Sequence, residues 1–182
     1  MGPAEQISES LVLYLDEIEE GHVGYAWSVG IDELEAMDEQ YSFPNAVQVN
    51  VNVERSLQTF HVKAKMHCDL NGECCRCLEM AQASTTALLE MLFQRKEASP
   101  EELEAMKEDE DVVILDPGTR QVNLKEYLRQ ALVLEFPLRV FCRSDCKGLC
   151  SQCGQALNSG PCACSNEEKD ERWAALADLK FL

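Results

Sequence analysis

The first 54 residues contain no lysine or arginine, although they include twelve acidic residues. The whole chain of 182 residues has 16 lysines and arginines against 33 aspartates and glutamates, a formal net charge of -17. A protein with so few positive charges does not attract nucleic acid or an anionic membrane through a broad basic surface. We therefore expect contact with a polyanion only at a local basic patch.

The chain also lacks a long apolar run and a basic start. No segment reaches the roughly 18 apolar residues that a membrane-spanning helix needs. Residues 1–16 have neither the positive charge nor the apolar stretch of a secretory signal, and they are too acidic for a transit peptide. We therefore expect a protein of a reducing compartment, with no membrane partner.

Recognisable catalytic motifs are absent as well. The sequence has no P-loop, no dinucleotide-binding glycine motif and no Ser/His/Asp order. The three histidines are scattered, and two of them, His61 and His67, fall within a predicted hairpin. We therefore expect a protein that is not an enzyme and has no catalytic residues.

Alternation of apolar and polar residues predicts an antiparallel β-rich domain. Residues 47–53 place valine at every second position, and residues 60–68 repeat the same period after a short polar link, which indicates a hairpin. Residues 83–93 fit either a strand or a helix, and the preceding hairpin favours a strand. Two further short strands are expected at residues 10–15 and 22–29.

Helical spacing begins only after residue 123. Asn123 and Glu126 resemble a capping box before an apolar stripe that Pro137 would end. A second such pair, Ser165 and Glu168, precedes a stripe that predicts a short terminal helix. The fold class is therefore α+β, with a few short helices. We predict a β-rich domain over residues 1–141, with an acidic insertion at 97–111, and a cysteine-rich zinc module with a terminal helix over residues 142–182.

Ten cysteines, bunched in two places, are the most informative residues. Cys74-x2-Cys77 and Cys150-x2-Cys153 have the spacing with which two thiolates grip one tetrahedral ion. In a reducing compartment, clustered thiols favour zinc over disulfides. Setting aside Cys68 and Cys75 leaves eight, enough for two zinc sites. The preferred grouping is Cys74, Cys77, Cys142 and Cys146 for one ion, and Cys150, Cys153, Cys162 and Cys164 for the other.

Three alternatives stay open at this point. Because Cys162 and Cys164 are cramped, one of them could be free while Cys146 joins the later site. A CxxC redox pair would need a thioredoxin-like βαβ context, which the sequence does not offer. An iron–sulfur cluster cannot be distinguished from zinc by counting cysteines.

The order of motifs resembles the YceD family, the large ribosomal RNA subunit accumulation proteins. The resemblance covers roughly residues 45–180 and rests on "CCRCLE", "VNLKEYLRQALVLEFPLRVFC", "CKGLCSQCGQALN", "CAC" and "DERWAAL". It implies a non-enzymatic role in accumulation of large-subunit (23S) ribosomal RNA, hence in ribosome biogenesis. The expected partner is that RNA or a pre-ribosomal particle. The resemblance also implies a location in the bacterial cytoplasm, or in a plastid if the chain is a processed mature form.

Basic residues near the cysteines are the candidates for RNA contact: Arg76, Arg139, Arg143 and Lys147. They could bind phosphates or equally neutralise a zinc ion held by four thiolates, which carries a formal charge near -2. The acidic N-terminal segment could hold a basic ribosomal protein, although a solvated face is the commoner use of such a segment. Alternative functions are a zinc-dependent RNA hydrolase and a thiol redox or metal-sensing protein.

Overall fold

The computed structural model describes residues 11–97 and 111–164, which form eight strands and one α-helix. The strands are β1 (Val12–Tyr14), β2 (Gly21–Val29), β3 (Tyr41–Ser42), β4 (Val47–Ser56), β5 (Thr59–Glu73), β6 (Met80–Arg95), β7 (Val112–Leu115) and β8 (Gln121–Asn123), and the helix, α1, spans Lys125–Leu134. This strand-rich architecture with one short helix agrees with the predicted β-rich domain.

A six-stranded sheet forms the centre of the fold. Its order is β2-β4-β5-β6-β7, and β3 pairs with the far end of β5. All its pairs are antiparallel except β6 with β7, which run parallel. The predicted β4–β5 hairpin is confirmed, with Ser56 opposite Thr59. The ambiguous segment 83–93 lies within β6 and pairs with β5 at every residue, so the interpretation as a strand is also confirmed.

The alternation in sequence matches burial in the sheet. In β4, Val47, Val49, Val51 and Val53 are buried while the intervening polar residues are exposed. The apolar face of β5 continues this core, from Phe60 to Leu70. One face of the sheet therefore covers the core and the other meets solvent, as the period of two requires.

Helix α1 covers part of that core with Leu128 and Leu132, both fully buried. Its N-terminus is not the predicted capping box. Asn123 Oδ1 accepts a hydrogen bond from the backbone N–H two residues later (2.8 Å), but the N-cap residue is Leu124. The Glu126 carboxylate bonds the Arg129 guanidinium (2.6 Å) instead of reaching back to Asn123. The ion pair between Glu126 and Arg129 therefore takes the place of the hydrogen bond that Glu126 would make to Asn123 in a capping box.

The helix ends at Leu134, three residues before Pro137, as the sequence indicated. The predicted terminal helix and most of the acidic insertion lie outside the described residues. The described residues include no helix that is long and apolar enough to cross a membrane.

The acidic N-terminal segment contributes to the core. Strand β1 pairs antiparallel with β8, and Leu13 and Leu15 are fully buried. Strand β2 pairs with β4 over nine residues. Removing residues 1–40 would therefore remove two strands, so the acids of this segment are better studied by single charge substitutions than by truncation.

Candidate metal centre

The turn between β5 and β6 brings the first CxxC pair against the late cysteines. Cys74 forms an isolated parallel bridge with Val140, and the N–H of Cys75 donates to the Val140 carbonyl (2.9 Å). The N–H of Leu78 donates to the Cys74 carbonyl (2.9 Å), which closes the tight turn that points both thiols inward. The segment just before Cys142 is thereby aligned along the end of the hairpin.

The structure brings Cys74, Cys77, Cys142 and Cys146 together, with all four sulfurs within 4.8 Å of one another. The Cys74 and Cys146 sulfurs lie 3.9 Å apart, and those of Cys77 and Cys142 lie 3.6 Å apart. Cys142 is partly buried and the other three are buried. We call these four residues the junction group, because they join residues 142–146 to the β5–β6 turn.

Cys150, Cys153, Cys162 and Cys164 form a second group, again with sulfurs within 4.8 Å of one another. We call it the distal group. Cys153 is exposed and the other three are partly buried. Here the N–H of Gly154 donates to the Cys150 carbonyl (2.9 Å), which forms the second knuckle turn. Cys162 and Cys164 both belong to this group, and Cys146 belongs to the junction group, so the alternative grouping is not the one in the structure.

The thiols within each group differ in acidity. In the junction group, backbone N–H groups, that of Cys142 first, lower the pKa of Cys74 to about 6. The N–H of Glu79 acts to lower the pKa of Cys77, but burial and the neighbouring thiols outweigh it and raise that pKa to about 12. In the junction group, Cys74 therefore loses its proton readily, whereas Cys77 resists losing its own. A bound cation would favour the thiolate form of both.

The same division appears in the distal group. Backbone N–H groups, that of Cys153 first, lower the pKa of Cys150 to about 6. The side chain of Cys153, together with burial, raises the pKa of Cys164 to about 12. A group built only of thiols with directed N–H donors is typical of metal-binding knuckles.

The sulfur separations suit a single tetrahedral ion. A metal–sulfur bond of about 2.3 Å puts neighbouring sulfurs roughly 3.8 Å apart. In the junction group the Cys77–Cys142 and Cys74–Cys146 sulfur distances, 3.6 and 3.9 Å, lie on either side of this value. An iron–sulfur cluster places several iron and sulfide atoms between its cysteine ligands, so sulfurs this close favour one ion. Both groups could therefore hold a metal ion through four sulfur ligands.

The sequence pattern did not reveal one residue that supports the junction group. The Asn158 side chain donates to the Cys146 sulfur (3.2 Å) and accepts from the N–H of Lys147 (2.9 Å). The Asn158 hydrogen bond is the main cause that lowers the pKa of Cys146. Twelve residues separate Asn158 from Cys146, so no local spacing could have connected them.

The basic residues near the cysteines differ in their contacts. Arg76 donates through Nη1 to the carbonyls of Ser144 (3.2 Å) and Cys146 (3.0 Å), and its guanidinium lies 4.8 Å from the Phe141 ring centroid. Arg76 thus fastens the late segment to the β5–β6 turn. Arg143 and Asp145 form an exposed ion pair at 3.5 Å. Arg139 and Lys147 are exposed.

The two cysteines set aside in the sequence stay outside both groups. Cys68 is buried on β5, and burial raises its pKa to about 11. Cys75 is exposed between two members of the junction group. Neither residue is part of a group of four sulfurs in the described residues.

Gly148 supports the junction in a way that can be tested. Its φ is +76°, and an added Cβ would lie 3.0 Å from the Arg76 carbonyl oxygen, which accepts from the N–H of Leu149. Gly154 has a similar φ of +73° but open space around it. Gly154→Ala should cost about 1–2 kcal/mol for the backbone alone. Gly148→Ala should cost more, because it also pushes Arg76 away.

Chemical denaturation of the metal-loaded variants checks this difference. Equal losses of unfolding free energy in the two variants would mean that the contact between Gly148 and Arg76 contributes nothing. A larger loss for Gly154→Ala would contradict the expected order.

The sequence is similar to a known protein family and to several curated proteins. A protein-family profile described as large ribosomal RNA subunit accumulation protein YceD matches residues 62–180, a range that includes both cysteine groups. An uncharacterized protein of Mycobacterium tuberculosis is 35% identical over 108 residues, 59% of this chain and 49% of that protein. One from Mycobacterium leprae is 30% identical over 135 residues, 73% of this chain and 58% of that protein.

A plant relative carries a descriptive name. It is the chloroplastic large ribosomal RNA subunit accumulation protein YCED homolog 1 of Arabidopsis thaliana, 34% identical over 71 residues, 39% of this chain and 22% of that protein. No solved structure matches the chain. The chain spans about half the length of the curated mycobacterial relatives. Since the family profile covers most of the sequence, cysteine groups included, the chain belongs to the YceD family.

Proposed function

We propose that this protein is a non-enzymatic factor that supports accumulation of large-subunit (23S) ribosomal RNA, and hence ribosome biogenesis. The family description and the name of the plant relative support the process. The observation that carries the non-enzymatic part is the pair of groups with four sulfurs each. All-cysteine sites of this kind are usually closed and structural. The bacterial cytoplasm and the plastid are the proposed locations.

Zinc is the proposed metal, with one ion in each group. Zinc takes four thiolate ligands in a tetrahedral arrangement and has no redox chemistry of its own. In the junction group the ion would hold the segment after Val140 against the β5–β6 turn, beside the hydrogen bonds of Arg76. The role of the metal is then to shape the surface that residues 139–164 present.

The two alternative functions differ in what they need from the site. A zinc-dependent RNA hydrolase needs an open coordination position beside a general base, and four sulfur ligands leave none. A thiol redox or metal sensor needs accessible thiols. Exposed Cys153 gives the distal group that property, so a sensor is the better supported alternative.

We assign RNA contact to the exposed basic residues of this surface, Arg139, Arg143 and Lys147. Arg76 has its hydrogen bonds directed into the protein, so its role here is to position the surface. Phosphate contacts of this kind add to affinity without reading sequence. A basic ribosomal protein remains a second proposed partner, for exposed acids such as Glu17 and Glu33.

Charge reversal tests the RNA contact. Arg139→Glu combined with Lys147→Glu should lower RNA crosslinking roughly tenfold, because two phosphate contacts become repulsive. The matched control is Lys63→Glu with Lys65→Glu, which changes the net charge equally on the exposed face of β5. Crosslinked RNA and the level of 23S ribosomal RNA are measured in cells whose own copy of the gene is deleted.

The two readouts separate direct from indirect action. Loss of both crosslinks and 23S RNA only in the Arg139 and Lys147 variant supports the proposal. Equal loss in the control variant would show that net charge, and not this surface, matters. Unchanged crosslinking in both variants would overturn the assigned RNA contact.

A further inference from the structure

A basic pocket lies at the end of the sheet opposite the cysteine groups. Four chain segments meet there: the end of β1, the β4–β5 turn, the end of β6 and the turn between β7 and β8. The pocket has a volume of about 480 Å³. Its lining residues are Asp16, Gln58, Arg95, Lys96, Pro117, Gly118 and Arg120. Since β5 has 15 residues, this pocket is separated from the junction group by roughly 50 Å of strand.

The charge of the pocket is opposite to that of the protein. Its lining contains three basic residues and one acid, whereas the whole chain has twice as many acids as bases. Arg55 adds a fourth positive charge nearby, and its guanidinium donates to the carbonyls of Leu15 and Ile18. A quarter of the 16 basic residues of the chain therefore lie in or beside this pocket, and Asp16 is the carboxylate among its described lining residues.

The side chain of Arg95 is fixed by burial and by three hydrogen bonds. Its side chain is only 9% exposed. Its Nε donates to Gln58 Oε1 (2.6 Å), and its Nη1 donates to Asp16 Oδ1 (2.7 Å) and to the Thr119 carbonyl (3.1 Å). Within the described residues its Nη2 has no acceptor, so this fixed guanidinium keeps donors for a further group.

Two guanidiniums also contact one aromatic ring here. The guanidiniums of Arg55 and Arg95 lie over the same Phe60 ring, 5.4 and 5.7 Å from its centroid. The hydrogen bond from Arg95, and then the charges of Arg95, Arg120 and Arg55, lower the pKa of Asp16 against the effect of burial. Among the described lining residues, the half-exposed Asp16 is the one carboxylate facing these three guanidiniums. A bound anion would offset the remaining repulsion.

We propose that this pocket binds a phosphate group, with Arg95 as the fixed donor and Arg120 and Lys96 as the charges at its rim. Arginine forks match phosphate oxygens in geometry, and a tetrahedral dianion offers several acceptors at once. The group could come from an RNA backbone or from a free nucleotide. The proposal does not depend on the role in RNA accumulation, because phosphate binding is measured on the purified full chain.

Titration of backbone amide NMR signals tests the proposal. Inorganic phosphate, adenosine monophosphate and a short single-stranded RNA are added in turn to metal-loaded protein. The signals of Gln58, Gly118 and Thr119 should shift with each probe. Arg120→Gln should raise the Kd for phosphate roughly fivefold, and Asp16→Asn should lower it by a similar factor, since one removes a cation and the other a competing carboxylate.

A matched control separates this site from a general effect of charge. Lys65→Gln removes a distant exposed charge and should leave phosphate binding at the pocket unchanged. Salt-dependent RNA binding that is much tighter than nucleotide binding would identify the RNA backbone as the source, and the reverse order would identify a free nucleotide. Unshifted pocket signals, or equal weakening by Lys65→Gln and Arg120→Gln, would overturn the phosphate site whatever the outcome at Arg139.

Discussion

Purified protein is expected to contain two zinc ions per chain, and Cys150→Ser and Cys146→Ser are each expected to contain one. The reason is geometric, because the eight sulfurs form two separate groups and each substitution removes one ligand from one group. Structural zinc contributes on the order of 10 kcal/mol or more to small modules, so each loss should have a large local effect. Elemental analysis after gel filtration measures the stoichiometry.

The two variants should differ in which part of the protein loosens. Cys150→Ser removes a distal ligand, so hydrogen exchange should rise within residues 150–164. Cys146→Ser removes a junction ligand and the acceptor of the Asn158 hydrogen bond. Exchange should then rise in the β5–β6 turn and near Val140, whose carbonyl accepts from Cys75. In both variants the β4–β5 hairpin should stay protected, because its valines and Phe60 have their own buried face.

Cys75→Ser is the matched control for zinc content. Cys75 stands between two junction ligands but is exposed and outside both groups. Its serine variant should keep two ions. Iron in place of zinc, disulfides without metal, or loss of an ion from Cys75→Ser would each contradict the assignment of ligands.

Phe93→Ala is expected to destabilise the sheet by about 3–5 kcal/mol, a large part of the roughly 5–15 kcal/mol that stabilises a typical domain. Phe93 is fully buried and lies opposite Phe60, which is also fully buried. Its ring meets the edge of Tyr127 on α1 at 5.6 Å between centroids. Truncation would open a cavity between the two central strands and the helix that covers them.

Denaturation with excess zinc measures this loss without a contribution from metal release. Phe93→Leu keeps most of the apolar volume and should cost less than Phe93→Ala, with the ring contact as the main loss. Leu88→Ala lies on the same strand but is 71% exposed, and it should change the unfolding free energy by less than about 0.5 kcal/mol. A similar loss from Leu88→Ala and Phe93→Ala would mean that β6 does not pack as described.

The local patterns in the sequence were sufficient to predict several elements. The alternating valines of β4 identify a strand with one buried face, because neighbouring residues of an extended chain point to opposite sides. The CxxC pairs identify the two knuckles, since two thiols three positions apart can face one ion. These properties depend on residues that are close in sequence, so no knowledge of the fold is needed to recognise them.

Other features depend on contacts between distant residues, which only the tertiary structure decides. The sequence left open whether Cys146 joins the earlier or the later cysteines, and the pairing of Cys74 with Val140 places it with the earlier ones. Strand β1 pairs with β8 more than 100 residues away. The basic pocket arises because four turns and strand ends meet at one end of the sheet. Long-range pairing depends on the packing of whole elements. Arg95 therefore lies next to Asp16 and Arg120 only once the sheet has formed.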